Sequence, residues 1–133
     1  MGIKLNLFSK IRSMKLMLID DDEWVRDSLR LFFESEGCQI VALETAEEGL
    51  GFAERYPFDI IIVDYRLPGM DGLEFIKKLP ANQVDTLKVL ITAYGNDDLV
   101  HKAQKSGFHE IITKPFTTGA IEESLGRLIA RQN

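Results

Sequence analysis

The chain has 133 residues, 45% of them hydrophobic, enough for one domain that buries roughly two thirds of the surface its unfolded form would expose. Sixteen Lys and Arg against 21 Asp and Glu leave a net charge of −5, with no basic block to neutralise a nucleic-acid backbone or hold an anionic membrane, so direct nucleic-acid binding is not expected. The single cysteine, Cys38, cannot close an internal disulfide, no apolar run approaches the roughly 18 residues of a spanning helix, and a cytoplasmic protein fits best.

Residues 1–13, MGIKLNLFSKIRS, precede a fresh strand-like run starting at Met14. Lys4, Asn6 and Lys10 interrupt their apolar positions, which argues against a secretory signal. Ile3, Leu7 and Ile11 fall at helical spacing beside Lys4, Lys10 and Arg12, a pattern that suits a short basic amphipathic helix for a partner or membrane. The ordinary behaviour of termini favours instead a mobile tail or a non-native leader, with the domain spanning 14–133.

Strand candidates follow at 15–19 (KLMLI), 39–43 (QIVAL), 59–63 (DIIIV), 87–91 (LKVLI) and 110–113 (EIIT), several apolar throughout, as in strands covered on both faces. Between them Val25, Leu29, Phe32 and Phe33 mark one helix, Leu99, Val100 and Ala103 another, and Ile121, Leu125, Leu128 and Ile129 the last. Gly37 suits a left-handed helix stop, Thr45 with Glu48 matches a capping box, Asp71 with Glu74 resembles one, Pro80 follows the third helix and Thr118 is placed to cap the fifth. Strand then helix, five times over, predicts an α/β domain of doubly wound (βα)5 form, a five-stranded parallel sheet with helices on both faces. Ligands of such a sheet bind outside the carboxyl ends of its strands, where the strand order reverses.

Directly after the strands stand Asp20, Asp21 and Asp22 (first), Glu44 and Thr45 (second), Asp64 (third), Thr92 (fourth) and Lys114 (fifth). A sheet with its first, third, fourth and fifth strands near the switch point brings Asp20, Asp21, Asp64, Thr92 and Lys114 together. Three carboxylates at −3 and one ammonium at +1 leave −2 in a confined site, which a divalent cation would neutralise. Carboxylates and waters are hard oxygen ligands of the kind Mg²⁺ takes alongside phosphate oxygens. A carboxylate can also attack phosphorus to form an acyl phosphate, with Lys114 and the Thr92 hydroxyl meeting charge on the transferred oxygens.

Taken singly these signals are weak. The acids at 20–23 would face the dipole of the helix beginning near Trp24, Asp64 could cap a turn, Thr92 could be a β-branched strand residue and Lys114 an exposed lysine. Their coincidence at four strand ends carries the inference. His101 and His109 lack a metal-ligand spacing, Cys38 reads as a packing residue, Phe32, Phe33 and Phe75 as core, and Pro68 and Gly69 as turn residues.

The segments LMLIDDDEWVRDSL, DIIIVDYRLPGMDGLEF, VLITAYG and IITKPF together resemble the response-regulator receiver domain of two-component signal transduction, over residues 15 to 131. The resemblance implies a flavodoxin-like fold and a phosphoprotein that carries an aspartyl phosphate and does not act as an enzyme. Asp64 would be the phosphoacceptor, Asp21 a direct Mg²⁺ ligand, Asp20 a ligand acting mainly through water, and the Arg66 backbone carbonyl would complete the metal site. Thr92 would hydrogen-bond the phosphoryl group and Lys114 pair with it, Asp22 fills the position of a further acid, and the bond before Pro115 is often cis in the family. The partners implied are a sensor histidine kinase or histidine phosphotransfer protein as donor, and an output domain or effector on the fourth helix, fifth strand and fifth helix, with a phosphorylation-dependent dimer left open. By the resemblance Arg66 and Tyr94 would occupy positions where side chains can screen attacking water. Ile111 departs from the pattern: many receivers carry Tyr or Phe there, so the aromatic switch is expected to be absent or altered, with the loop from Tyr94 to Asp97 carrying more of the change. The chain stops just after its fifth predicted helix, so no output domain is expected within it.

The alternative is a small Mg²⁺-dependent aspartate-nucleophile phosphohydrolase of the haloacid-dehalogenase type. Asp20 and Asp22 suit its Asp-x-Asp opening, but Trp24 stands where Thr or Val is usual, and no second domain caps a substrate. A flavodoxin-like nucleotide carrier would place a glycine- or hydroxyl-rich phosphate loop where this chain has three acids.

Overall fold

The computed structural model describes the backbone of residues 2–132 and the side chains of 7–131. The chain begins with helix α1 (Gly2–Ile11) and then alternates: β1 (Lys15–Ile19), α2 (Glu23–Ser35), β2 (Gln39–Leu43), α3 (Ala46–Arg55), β3 (Ile60–Asp64), α4 (Gly72–Lys77), a 3-10 turn at Ala81–Gln83, β4 (Leu87–Thr92), α5 (Asp97–Ser106), β5 (Glu110–Thr113) and α6 (Thr118–Gln132). All strand pairs are parallel, in the order β2-β1-β3-β4-β5. The order reverses direction between β1 and β3, which opens the crevice expected of a doubly wound sheet at their carboxyl ends.

The period-two alternation of the strands sorts their side chains into two layers. Leu16, Leu18, Ile60, Ile62, Val89, Ile91 and Ile112 face α1, α2 and α6, where Leu29, Phe33, Ile121, Leu125 and Leu128 meet them. Met17, Ile19, Ile61, Val63 and Leu90 face α3, α4 and α5, where Ala46, Ala53, Phe75, Ile76, Leu99 and Ala103 close the other layer. Burial of each branched residue contributes about 1.5–3 kcal/mol. Those layers hold the strand ends, and hence the polar residues beyond them, in fixed register.

Helix starts follow the local chemistry. Asp22 Oδ1 accepts from the backbone N–H groups of Trp24 (2.9 Å) and Val25 (3.4 Å). Both expected capping boxes, Thr45 with Glu48 and Asp71 with Glu74, are formed. Gly37 takes a left-handed φ of 82° just past α2. The start of α6 differs from expectation: Thr118 is its first residue, and Thr117 Oγ1 accepts from Ala120 N–H at 3.1 Å, so the hydroxyl one position earlier serves as the cap.

Two strand boundaries and the amino-terminal segment also differ. Asp64 and Thr92 are the last residues of β3 and β4, where loop positions were expected; Asp59 lies outside β3 and its Oδ2 accepts from Lys15 N–H at 2.8 Å. The amino-terminal segment does not form the expected mobile tail. Residues 2–11 are helical, with Leu7, Phe8 and Ile11 at most 4% exposed in the α2–α6 layer. Phe8 meets Phe32 edge-on at 5.8 Å, and Arg12 Nε donates to the Glu36 carbonyl at 2.7 Å, fastening α1 to the end of α2. The apolar spacing was visible, but the groove that receives it is made by residues far along the chain.

Candidate functional site

Four strand ends converge as expected. Asp20 is fully buried beyond β1, Asp64 is 6% exposed at the end of β3, and Asp21 beside them is exposed. Carboxylate oxygens of Asp20, Asp21 and Asp64 all lie within 4.8 Å of one another. Lys114, following β5, reaches across: its Nζ donates to Asp64 Oδ2 at 3.1 Å and stands 3.0 Å from Asp20 Oδ2. The second approach is an ion-pair distance with poor hydrogen-bond alignment, because the buried Asp20 Oδ2 has no hydrogen-bond partner. A buried anionic oxygen left in that state is costly unless a further cation or donor meets it.

The electrostatics follow from burial and crowding. Removal from water pushes the Asp64 carboxyl up to about 6 from its ordinary 3.8, and the neighbouring Asp20 charge adds to the rise, while Lys114 pulls it back. For Lys114, burial favours the neutral amine, but its contacts with Asp20 and Asp64 outweigh this and raise its pKa. Asp20 is held in place by its neighbours: its Oδ1 accepts from Asp22 N–H at 2.9 Å and its carbonyl accepts from Arg26 Nη1 at 2.9 Å.

The other expected residues divide. Thr92 is 1% exposed at the end of β4, and its Oγ1 accepts from Tyr94 N–H at 2.9 Å. Lys114 N–H donates to the Thr92 carbonyl at 2.7 Å, joining the hydroxyl-bearing and lysine-bearing strand ends. Arg66 lines an open cleft of about 560 Å³ with Asp21, Tyr65 and Gly69, and its guanidinium carbon lies 4.6 Å from the centre of the Tyr94 ring, linking the loops after β3 and β4. The Lys114–Pro115 bond is cis. Asp22 is spent on capping α2, and Thr45 on capping α3 beyond the edge strand β2, so neither joins the acidic cluster. Ile111 is half-buried against the α3–α5 layer.

Three contributions escaped the sequence. Arg26 anchors the Asp20 backbone; an arginine one turn into the helix after an acidic pair was the available signal. Gly72 lies against the site strand, because a Cβ there would stand 2.7 Å from the Asp64 carbonyl oxygen. Trp24 is 85% exposed and lines an apolar cleft with Val25, Ala93, Lys114, Pro115 and Phe116. Its position off the Val25–Leu29–Phe33 stripe could have indicated this.

A doubly wound parallel sheet whose switch-point crevice gathers three carboxylates, a hydroxyl and a lysine defines an α/β domain with an acidic site at the carboxyl ends of its strands. The model of the response regulator receiver domain matches residues 16–126, and the chain belongs to that family. The transcriptional regulatory protein FixJ of Azorhizobium caulinodans is 34% identical over 119 residues, covering 86% of this chain and 56% of that protein. The C4-dicarboxylate transport transcriptional regulatory protein DctD of Pseudomonas aeruginosa is 29% identical over 116 residues, covering 86% of this chain and 25% of its own length. The chain thus spans between a quarter and just over half of these two relatives. A CheY-like receiver domain protein from Methanospirillum hungatei JF-1 superimposes with a TM-score of 0.82 at 26% identity, over 90% of this chain and 95% of that one. The chain is therefore a receiver domain of the two-component type, a signalling domain, and nothing in the fold or the relatives favours the phosphohydrolase alternative. No helix among the described residues is long and apolar enough to cross a membrane.

Proposed function

We propose that Asp64 is the phosphoacceptor of this receiver domain, taking a phosphoryl group from a phosphohistidine of a sensor kinase or histidine phosphotransfer protein. The observation that carries the reading is Lys114 Nζ between two buried carboxylates, 3.1 Å from Asp64 Oδ2 and 3.0 Å from an Asp20 oxygen that lacks a hydrogen bond. One ammonium does not balance three carboxylates, and the donor set is all hard oxygen, so the residues fit Mg²⁺ held by Asp20, Asp21, Asp64 and the Arg66 carbonyl. Bound there, the cation would supply charge neutralisation for the incoming phosphoryl oxygens.

The chain's own groups do the rest. An Asp64 carboxylate oxygen forms the O–P bond as the donor's N–P bond breaks, and the departing imidazole nitrogen keeps the electron pair and takes a proton from solvent. Lys114, already 3.1 Å from Asp64, meets charge on the transferred oxygens, and the Thr92 hydroxyl donates to one of them. The phosphorylated domain then signals through α5, β5 and α6 to an output domain or effector, as a monomer or as a phosphorylation-dependent dimer, in the cytoplasm.

Incubation with a small phosphodonor and Mg²⁺ tests the assignment. Base-labile phosphate should reach no more than one equivalent per chain and vanish in Asp64→Asn. Normal labelling of that variant would move the acceptor elsewhere, and release of many equivalents of phosphate would restore the hydrolase.

A further inference from the structure

We propose that the outer face of α3 pairs with the same face of a second copy of this chain, antiparallel across a two-fold axis between Gly51 and Phe52, independently of phosphorylation. An ordinary surface helix buries one stripe and turns polar residues outward. α3 buries Ala46, Gly49 and Ala53 over β1 and β2, yet its opposite face carries two aromatic residues, Phe52 at 37% and Tyr56 at 44% exposed. Their ring centres stand 6.4 Å apart, and the pair is held in place: the Tyr56 carbonyl accepts from the buried Gln83 Nε2 at 2.6 Å, and Lys15 Nζ lies 4.5 Å from the centre of the Tyr56 ring. Glu48, Gly51, Phe52, Arg55 and Tyr56 line a cleft of about 270 Å³ on this face. A Cβ on Gly51 would meet nothing within 4 Å, so the single chain gives no reason for glycine at this helical position. Close approach by a second backbone supplies one.

The face is complementary to itself, as a two-fold interface must be and a face built for a different protein need not be. Glu48 and Arg55 are the charges at its two ends, about 10 Å apart along the helix, and the midpoint between them falls between Gly51 and Phe52. A two-fold axis through that point sets Glu48 against the partner's Arg55, and Arg55 against the partner's Glu48. The same operation brings Gly51 to the partner's Gly51, where the backbones come closest, and Phe52 beside the partner's Phe52. Both charges are placed for this. Arg55 is exposed with no ion pair among the described residues, and Glu48, whose Oε1 accepts from Thr45 N–H at 3.2 Å and from its hydroxyl at 3.1 Å, remains exposed at the other end of the face. α3 lies over β1 and β2, at the end of the sheet opposite β5, so pairing there leaves α5, β5 and α6 to the partner of the phosphorylated state. One helix pair buries less than the roughly 1,200 Å² of a standard interface, so the dimer is weak and concentration-dependent.

Sedimentation of the full chain at low ionic strength, without Mg²⁺ or phosphodonor, tests the pairing over a concentration series. The mass should rise from 15.1 kDa toward twice that value and fall back in high salt. Arg55→Glu sets like charges together at both ends and should leave a monomer, as should Glu48→Arg. An equimolar mixture of these two variants restores both ion pairs and should associate as the parent does, a rescue that general destabilisation would not produce. In Glu48→Arg the N–H of residue 48 can still donate to Thr45 Oγ1, so α3 keeps its cap. Gly51→Gln fills the closest approach and should abolish the dimer without lowering the melting temperature, because a Cβ there meets nothing within 4 Å and glutamine is the better helix former. The proposal is overturned if the parent stays monomeric throughout, which would leave the face to a different protein, or if Arg55→Glu or Gly51→Gln dimerises like the parent. A mixture of Arg55→Glu and Glu48→Arg that stays monomeric overturns it too, as does association that appears only with beryllofluoride and Mg²⁺.

Discussion

Asp64 ends a strand that is apolar from Ile60 to Val63, and only 6% of it reaches solvent. Burial and the Asp20 charge raise its carboxyl from 3.8 to about 6, so without a metal the fold favours the protonated form. The sign follows directly: this residue's contribution to stability is fully present below about pH 4 and is lost as pH rises through about 6. Asp64→Asn removes that loss. Without divalent metal it should be more stable than the parent near pH 7 by about 1–2 kcal/mol, with the difference gone below about pH 4. Urea midpoints across that range check the expectation; an asparagine variant less stable than the parent near neutrality would show that Lys114 already compensates the buried charge. At this scale the acidic residues, Thr92 and Lys114 were legible, because each is a polar group at the end of an apolar run. The role of Arg26 was marked only by its place one turn into the helix after the acidic pair, since its guanidinium contacts a backbone carbonyl and not a side chain.

Among the elements, α1 is the addition to the family pattern, whose match starts at residue 16. Its apolar residues enter the same layer as Leu125, Leu128 and Ile129 of α6, a helix also held at β5 by Arg127 and Arg131, which donate to the largely buried Glu110 at 2.8 and 2.9 Å. α6 is thus gripped on two sides, whereas α5 places Leu99 and Ala103 in the opposite layer. Phe8→Ala tests whether α1 is structural. A buried Phe truncated to Ala costs about 3–5 kcal/mol, but the loss cannot exceed the free energy that holds α1 to the domain, so about 2–3 kcal/mol is expected. A urea midpoint lowered at unchanged slope would agree; an unchanged midpoint would return residues 1–13 to the status of a tail.

For the whole molecule, the charge imbalance at the crevice would couple the binding of a cation to folding. Asp20, Asp21 and Asp64 are adjacent only when β1 and β3 pair, so a cation that binds the cluster binds the folded state alone. Mg²⁺ should then stabilise the chain by about 2.7 kcal/mol at a hundredfold excess over its Kd, and Asp21→Asn should remove most of that gain while stabilising the metal-free protein. Thermal melts with and without millimolar Mg²⁺ measure both, and a parent melt indifferent to the metal would count against the site. The alternation of apolar runs with amphipathic stripes determined the α/β class, the five strands and most caps, because these depend on periodicity and on neighbours a few residues away. Family motifs in the same stretches carried the assignment of Asp64, Thr92 and Lys114. What only the tertiary structure decided is whatever needs two distant segments at once: the groove between α2 and α6 that turns residues 2–11 into a packed helix, the 3.0 Å approach of Lys114 to Asp20, and the close passage of Gly95 over Thr113. A helical spacing shows that a face is apolar but not whether a surface exists to bury it, and a glycine shows no reason for being one until the atom that excludes its methyl is in place.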